Sequence, residues 1–223
     1  MRKLIFALPA LFLLASCGGS SNDNAKTTSE QTAAEQKGET LTLDTVGTKV
    51  DWKATHKGGL APRWGKISVT SGTVSVNKDS LSGGEFTINL ASLYVDPASV
   101  TEKDKKSTDL AGHLKSPDFF DVAKFPTAKF VITKVEPFTG AQPSSLLTDP
   151  NYLISGNLTL KDSTLNITFP SKVAIAGSDV TATAKFIIDR SAWGINYKAE
   201  GSPENWMISK DVKIGLTLKA KKN

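Results

Sequence analysis

The chain has 223 residues, 39% of them hydrophobic and 22% charged, with a formal net charge of +5. A single cysteine excludes an internal disulfide and any cysteine-rich zinc or redox centre. Two histidines far apart in sequence argue against a dedicated metal site, and unclustered Lys and Arg argue against a nucleic-acid partner.

The chain opens with Arg2 and Lys3, followed by an apolar run from Leu4 to Ala15 that ends in Leu14-Ala15-Ser16-Cys17. A basic start, an apolar segment short for a bilayer and small residues before a cut describe a secretory signal. The Leu-Ala-Ser-Cys ending resembles a bacterial lipobox, which implies cleavage before Cys17 and a lipid anchor on that cysteine. Loss of Arg2 and Lys3 lowers the formal charge by two, to about +3. Gly18 and Gly19 stand where an inner-membrane retention aspartate would, so the expected address is the periplasmic face of the outer membrane.

From Gly18 to Glu39 the sequence "GGSSNDNAKTTSEQTAAEQKGE" has no aliphatic residue larger than alanine. Such a segment buries too little apolar surface to offset the entropy of ordering it, so a flexible tether is expected. Its reach as a coil is about 25 Å. The expected organisation is therefore a leader over 1–16, an anchor and tether over 17–39, and one domain over 40–223.

From Leu41 onward the dominant period is two. Val50, Trp52 and Ala54 alternate with polar neighbours, as do Phe86, Ile88 and Leu90. Val180 to Ile188 and Val212 to Leu218 repeat the pattern, and looser versions cover Ile67–Val76, Ala128–Lys134, Tyr152–Leu160 and Leu165–Ile175. Each is a half-buried strand. Turn chemistry at Asn77-Lys78-Asp79, Ser82-Gly83-Gly84, Lys161-Asp162-Ser163 and Ala176-Gly177-Ser178 joins them. Eight or nine strands with short connections predict an antiparallel all-β meander, because most pairs leave no room for a helical crossover.

Ser92 to Pro126 is the longest stretch without that period. Leu110, His113 and Leu114 fall on one face of a short helix, with Ser107 or Thr108 as N-cap. Ser116-Pro117-Asp118 reads as a second start, a cap followed by proline and an acid, and it presents Phe119 and Phe120. Long ordered inserts in compact β domains tend to carry function. The apolar sheet face closes either as a sandwich or as a barrel, and periodicity does not choose between them.

No Gly-x-Ser-x-Gly elbow and no phosphate-cradling glycine loop occurs. Asp104, Asp109, Asp118 and Asp121 read as solvated or capping acids, and His113 as a satisfied neutral imidazole. Asn157-Leu158-Thr159 and Asn166-Ile167-Thr168 match a glycosylation pattern by chance, since both lie inside strands. The aromatics carry more. Trp52, Phe86, Phe130, Phe186 and Trp193 lie on or beside strands, and Phe119 and Phe120 on the insert, as expected for an enclosed apolar ligand worth about 0.8 kcal/mol per buried methylene.

The block "DLAGHLKSPDFFDVAKFPTAKF" resembles the most recognisable motif of the YceI-like family of periplasmic lipid- or polyisoprenoid-binding domains. "GNLTLKDSTLNITFP" and "IIDRSAWGINY" resemble two further motifs in the family's order, and "WGKISVTSGTV" and "LSGGEFTINLASL" fit its first hairpins. Lys161-Asp162-Ser163-Thr164 and Glu102-Lys103-Asp104-Lys105 depart from the family pattern at turns.

The resemblance implies a lipocalin-like, eight-stranded antiparallel β-barrel with a short helical insert. The barrel would bind a long-chain isoprenoid or similar amphiphile without enzymatic chemistry and without a cofactor. Leu110, His113, Leu114, Phe119 and Phe120 are then expected to clamp one end of it. Trp52, Phe86, Ile88, Phe130, Leu158, Leu160, Phe186 and Ile188 are expected in its wall, Trp193 is expected among the ligand-binding residues, and Arg190 and Trp193 belong to a structural corner, with headgroup contact as the alternative. Two other functions compete: a filled barrel that docks another envelope protein, and an enzyme with His113 as base. The latter requires an acid or hydroxyl within about 3 Å of His113.

Overall fold

In the computed structural model, which describes residues 23–56, 59–139, 146–199 and 208–222, the alternating segments become the staves of one closed barrel. In chain order they are β3 (Lys49–His56), β4 (Ala61–Asn77), β5 (Ser80–Val95), β6 (Thr127–Pro137), β7 (Tyr152–Leu160), β8 (Ser163–Ala176), β9 (Asp179–Asp189) and β10 (Asp211–Lys221). Each pairs antiparallel with the next, and β10 pairs back onto β3 to close the ring. Closure removes free sheet edges. Lys78, Lys161 and Gly177 take positive φ at the tight hairpins, where the sequence carries turn chemistry.

The insert begins later than its loss of alternation suggests. Leu93 and Val95 are buried members of β5, with Tyr94 facing Lys66 and Val95 facing Gly65. Between Asn89 and Tyr94 the chain bulges. Ser92 Oγ donates to Asn89 O at 2.6 Å and accepts from Ser68 N at 2.8 Å. The bulge shifts the apolar phase, which hides the strand from a period-two reading. After a 3-10 turn at Pro97–Ser99 comes helix α1 (Ser107–Lys115), which packs on β5 at one end of the barrel.

Two caps differ from expectation. Lys106 is the N-cap of α1, because its carbonyl already accepts from Leu110 N, and no side chain closes that end. Ser116-Pro117-Asp118 starts no second helix. Ser116 O accepts from both Phe119 N and Asp121 N, and Asp121 turns the chain with φ 48°.

The largest correction concerns the tether. Asp23 to Gly38 lie along the outside of the barrel rather than as a free coil, whereas Cys17 and the leader lie outside the described residues. Ser171 pairs with Ala184, but beyond that pair β8 and β9 diverge. Strand β1 (Lys26–Ser29) enters the split, antiparallel to β8 from Lys26↔Thr168 to Ser29↔Leu165, while Asn24 bridges Ile187 of β9. The chain then crosses β7 and β6, where Ala34 N donates to Ile132 O at 2.9 Å. It enters β2 (Glu39–Leu43), which fills the gap between β4 and β10 with Leu41 and Leu43 buried.

This strap explains two buried polar residues on the outer wall. Asn157 Oδ1 accepts from Gln31 N at 3.0 Å and from Asn166 Nδ2 at 2.9 Å, and Asn157 Nδ2 donates to Gln31 O at 2.7 Å. Asn166 Nδ2 also reaches Thr133 Oγ1 at 2.8 Å. Composition alone conceals such docking, because backbone groups and small side chains make the bonds.

Candidate functional site

The inner faces of the staves do not fill the barrel. One half encloses a cavity of about 620 Å³ that opens beneath α1, within the range of small-molecule sites. Trp52, Phe86, Ile88, Phe130, Leu158, Leu160, Phe186 and Ile188 line its walls. Leu110, His113, Leu114, Phe119 and Phe120 line it from the insert. Trp193 does not. It is 2% exposed, donates its indole N–H to Leu158 O at 2.9 Å, and belongs to the 3-10 turn Arg190–Trp193 packed against β8.

The sequence reading missed several lining residues. Ile167 and Phe169 sit on β8 in the same alternation as Leu165, a signal that was present but diluted by Pro170 and Ser171. Leu93 was hidden by the bulge. Ile195 and Tyr197 follow a turn that ends in the left-handed Gly194, where no period points inward.

The mouth is held by specific polar bonds. Arg63 at the start of β4 donates from Nη2 to both carboxylate oxygens of Glu102, at 2.5 and 2.6 Å, and from Nη1 to Ser99 O at 2.7 Å. This charge-assisted clip fixes the approach to α1. His113 Nε2 and Asp118 Oδ2 lie 2.9 Å apart, tying the helix to the Phe119 turn. The imidazole meets Phe119 and Tyr197 edge-on, with ring centroids 5.2 and 5.0 Å away. The Arg190 guanidinium lies 5.7 Å from the Phe119 ring, within cation–π range.

Arg190 fulfils the corner role. It is 6% exposed and donates to Ser209 O at 3.1 Å, Tyr197 O at 3.0 Å, Ile208 O at 3.3 Å and Ile195 O. Burial lowers its pKa, opposed by the neighbouring Asp189 charge. Burial also pushes the Asp189 carboxyl up, but bonds from Ser191 Oγ and N and from Lys210 outweigh it and leave the pKa below its ordinary value.

A hollow, closed, eight-stranded barrel with an apolar interior and a helical insert at its mouth defines a ligand-enclosing binding fold rather than a solid structural one. The chain belongs to the YceI-like family, whose model matches residues 41–220 as a YceI-like domain. A UPF0312 protein of Pectobacterium atrosepticum is 26% identical over 220 residues, covering 98% of this chain and 90% of that one. A UPF0312 protein of Pseudomonas putida is 31% identical over 132 residues, 58% of each chain.

Two solved structures share the fold. Burkholderia cenocepacia BcnA superposes with a TM-score of 0.57 at 22% identity, covering 80% of this chain and 99% of its own. A polyisoprenoid binding domain from Saccharophagus degradans superposes with a TM-score of 0.53 at 11% identity, covering 82% and 98%.

Proposed function

We propose that this protein binds a long-chain isoprenoid or similar amphiphile by burying its chain in the barrel, while a lipid on Cys17 holds the protein at the periplasmic face of a bacterial membrane. The observation that carries the reading is the cavity itself. A polar mouth leads to a shaft lined by aliphatic and aromatic side chains, which suits a chain that gains about 0.8 kcal/mol per methylene withdrawn from water. Membership of the YceI-like family and the fold shared with a polyisoprenoid binding domain support the same ligand class.

We read the site as one that binds rather than reacts. The enzyme alternative asks for an acid beside His113, and Asp118 stands there at 2.9 Å. Among the described residues no hydroxyl or thiol joins that pair by a hydrogen bond. The imidazole pairs with Asp118 and packs edge-on against the Phe119 and Tyr197 rings. A nucleophile bonded to the base is what turns such a pair into a catalytic set. The protein-docking alternative asks for an exposed apolar patch. Val46 and Leu60, in the connections before β3 and β4, and Tyr94 on β5 are the large exposed hydrophobics among the described residues.

The test is native mass spectrometry with organic extraction on protein purified from a bacterial host without detergent. A co-purifying lipid of defined mass, lost in a folded Phe119→Asp, Phe120→Asp variant, is the expected result. Protein that stays bare after incubation with quinones and polyprenols would refute the reading.

A further inference from the structure

The cavity occupies only one half of the barrel. A row of four phenylalanine rings crosses the interior beneath it, contributed by β5, β6, β8 and β9. Phe86 and Phe130 have centroids 5.2 Å apart, Phe130 and Phe169 5.8 Å, and Phe169 and Phe186 stack at 4.0 Å. Below the row lies a separate void of about 30 Å³, lined by Val74, Leu81, Ile132, Ile154, Val180 and their neighbours. Phe86, Phe130 and Phe169 line both spaces, so these rings are the partition between them.

Gly156 on β7 is what lets the partition form. A Cβ at that position would stand 2.2 Å from Phe130 Cζ, so the tip of the Phe130 ring occupies a place where any other residue would put a side chain. Interlocked rings in a close-packed interior do not yield freely, since opening a gap forfeits contacts on both sides.

We infer that the Phe86–Phe130–Phe169–Phe186 row is a shelf that limits the chain length of the ligand, an inference that rests on the lipid-binding reading. At about 30 Å³ per methylene-sized group, the share one water takes in the liquid, the upper cavity accepts about twenty carbons. The lower void accepts about one. The preferred ligand is therefore an amphiphile with a chain near four isoprene units, and the far end of any longer chain stays at the mouth in water.

The experiment measures affinity for farnesol, geranylgeraniol and solanesol, of fifteen, twenty and forty-five carbons, by displacement of a fluorescent fatty-acid probe. Affinity should rise at least ~10-fold from farnesol to geranylgeraniol, even at the modest per-atom yield of drug-sized ligands. From geranylgeraniol to solanesol it should then change by no more than about twofold, because carbons left in water add nothing. In Phe130→Ala, which joins the two spaces, the longest prenol should gain over geranylgeraniol.

Wild-type affinity that keeps climbing to solanesol overturns the shelf and leaves lipid binding intact. Failure of all three prenols to bind overturns both. Where Phe130→Ala does not fold, the milder Phe130→Leu takes its place, and an unchanged length dependence in the folded variant also overturns the shelf.

Discussion

Replacing Asn157 by alanine should free the N-terminal strap without opening the barrel. The Asn157 amide makes three hydrogen bonds on the outer wall, two to the backbone of Gln31 and one from Asn166. Two of these bonds reach the strap, so at about 1 kcal/mol net for each the substitution removes about 2 kcal/mol of strap docking, or roughly thirtyfold in its local opening equilibrium. Asn166 keeps its bond to Thr133 Oγ1, so the inner wall has no reason to rearrange.

Native-state hydrogen exchange reads this directly. The amides of Ala25, bonded to Ile187 O, and Ala34, bonded to Ile132 O, should exchange about thirtyfold faster. Inner-stave amides such as those of Phe130 and Leu158 should keep their protection apart from any change in global stability. Unchanged exchange at Ala25 and Ala34 would show that the strap does not depend on this amide and would refute the reasoning.

Two further outcomes follow from the corner beside the mouth. Arg190→Leu leaves four buried or half-buried carbonyls without their donor, and urea unfolding should report a loss of about 3–5 kcal/mol; a loss under about 1 kcal/mol would contradict the corner role. Asp189, with a folded pKa below its ordinary value, contributes stability that is present above the unfolded pKa, about 3.9, and disappears as pH falls through the folded one. Wild type should therefore exceed Asp189→Asn in stability at neutral pH and converge on it in acid, whereas a constant difference down to low pH would refute that role.

Much of the barrel was legible because a half-buried stave announces itself by alternation. Trp52, Phe86, Phe130 and Phe186 all point inward on the strands their periods predicted. The helix face of Leu110, His113 and Leu114 was equally plain, since three residues at helical spacing share one side. What stayed hidden has physical causes. The bulge at Asn89–Tyr94 breaks phase, so the upper end of β5 resembled loop. Trp193 follows a strand yet turns behind the wall, and aromatic character does not reveal direction.

The strap was the deepest miss. A segment of Ala, Thr, Ser, Gln and Glu reads as solvated because composition measures side-chain burial. Asp23–Gly38 instead dock through backbone groups in a split whose existence depends on β8 and β9 diverging. The pair that holds the strap where it crosses β7, Asn157–Asn166, lies more than a hundred residues away in sequence. The family motif extends from residue 41 to 220, but the folded unit begins at least as early as Asp23.

The central claim is that the cavity beneath α1 holds a lipid chain, and photo-crosslinking tests it most directly. A geranylgeraniol analogue carrying a diazirine at its distal end, irradiated with the full-length protein and mapped by peptide mass spectrometry, should label the shelf around Phe130 and Phe169. The same probe with the diazirine beside the hydroxyl should label the Leu110–Phe120 segment. Labelling confined to the outer wall, or none above that of a protein with Leu158→Trp blocking the shaft, would contradict the account.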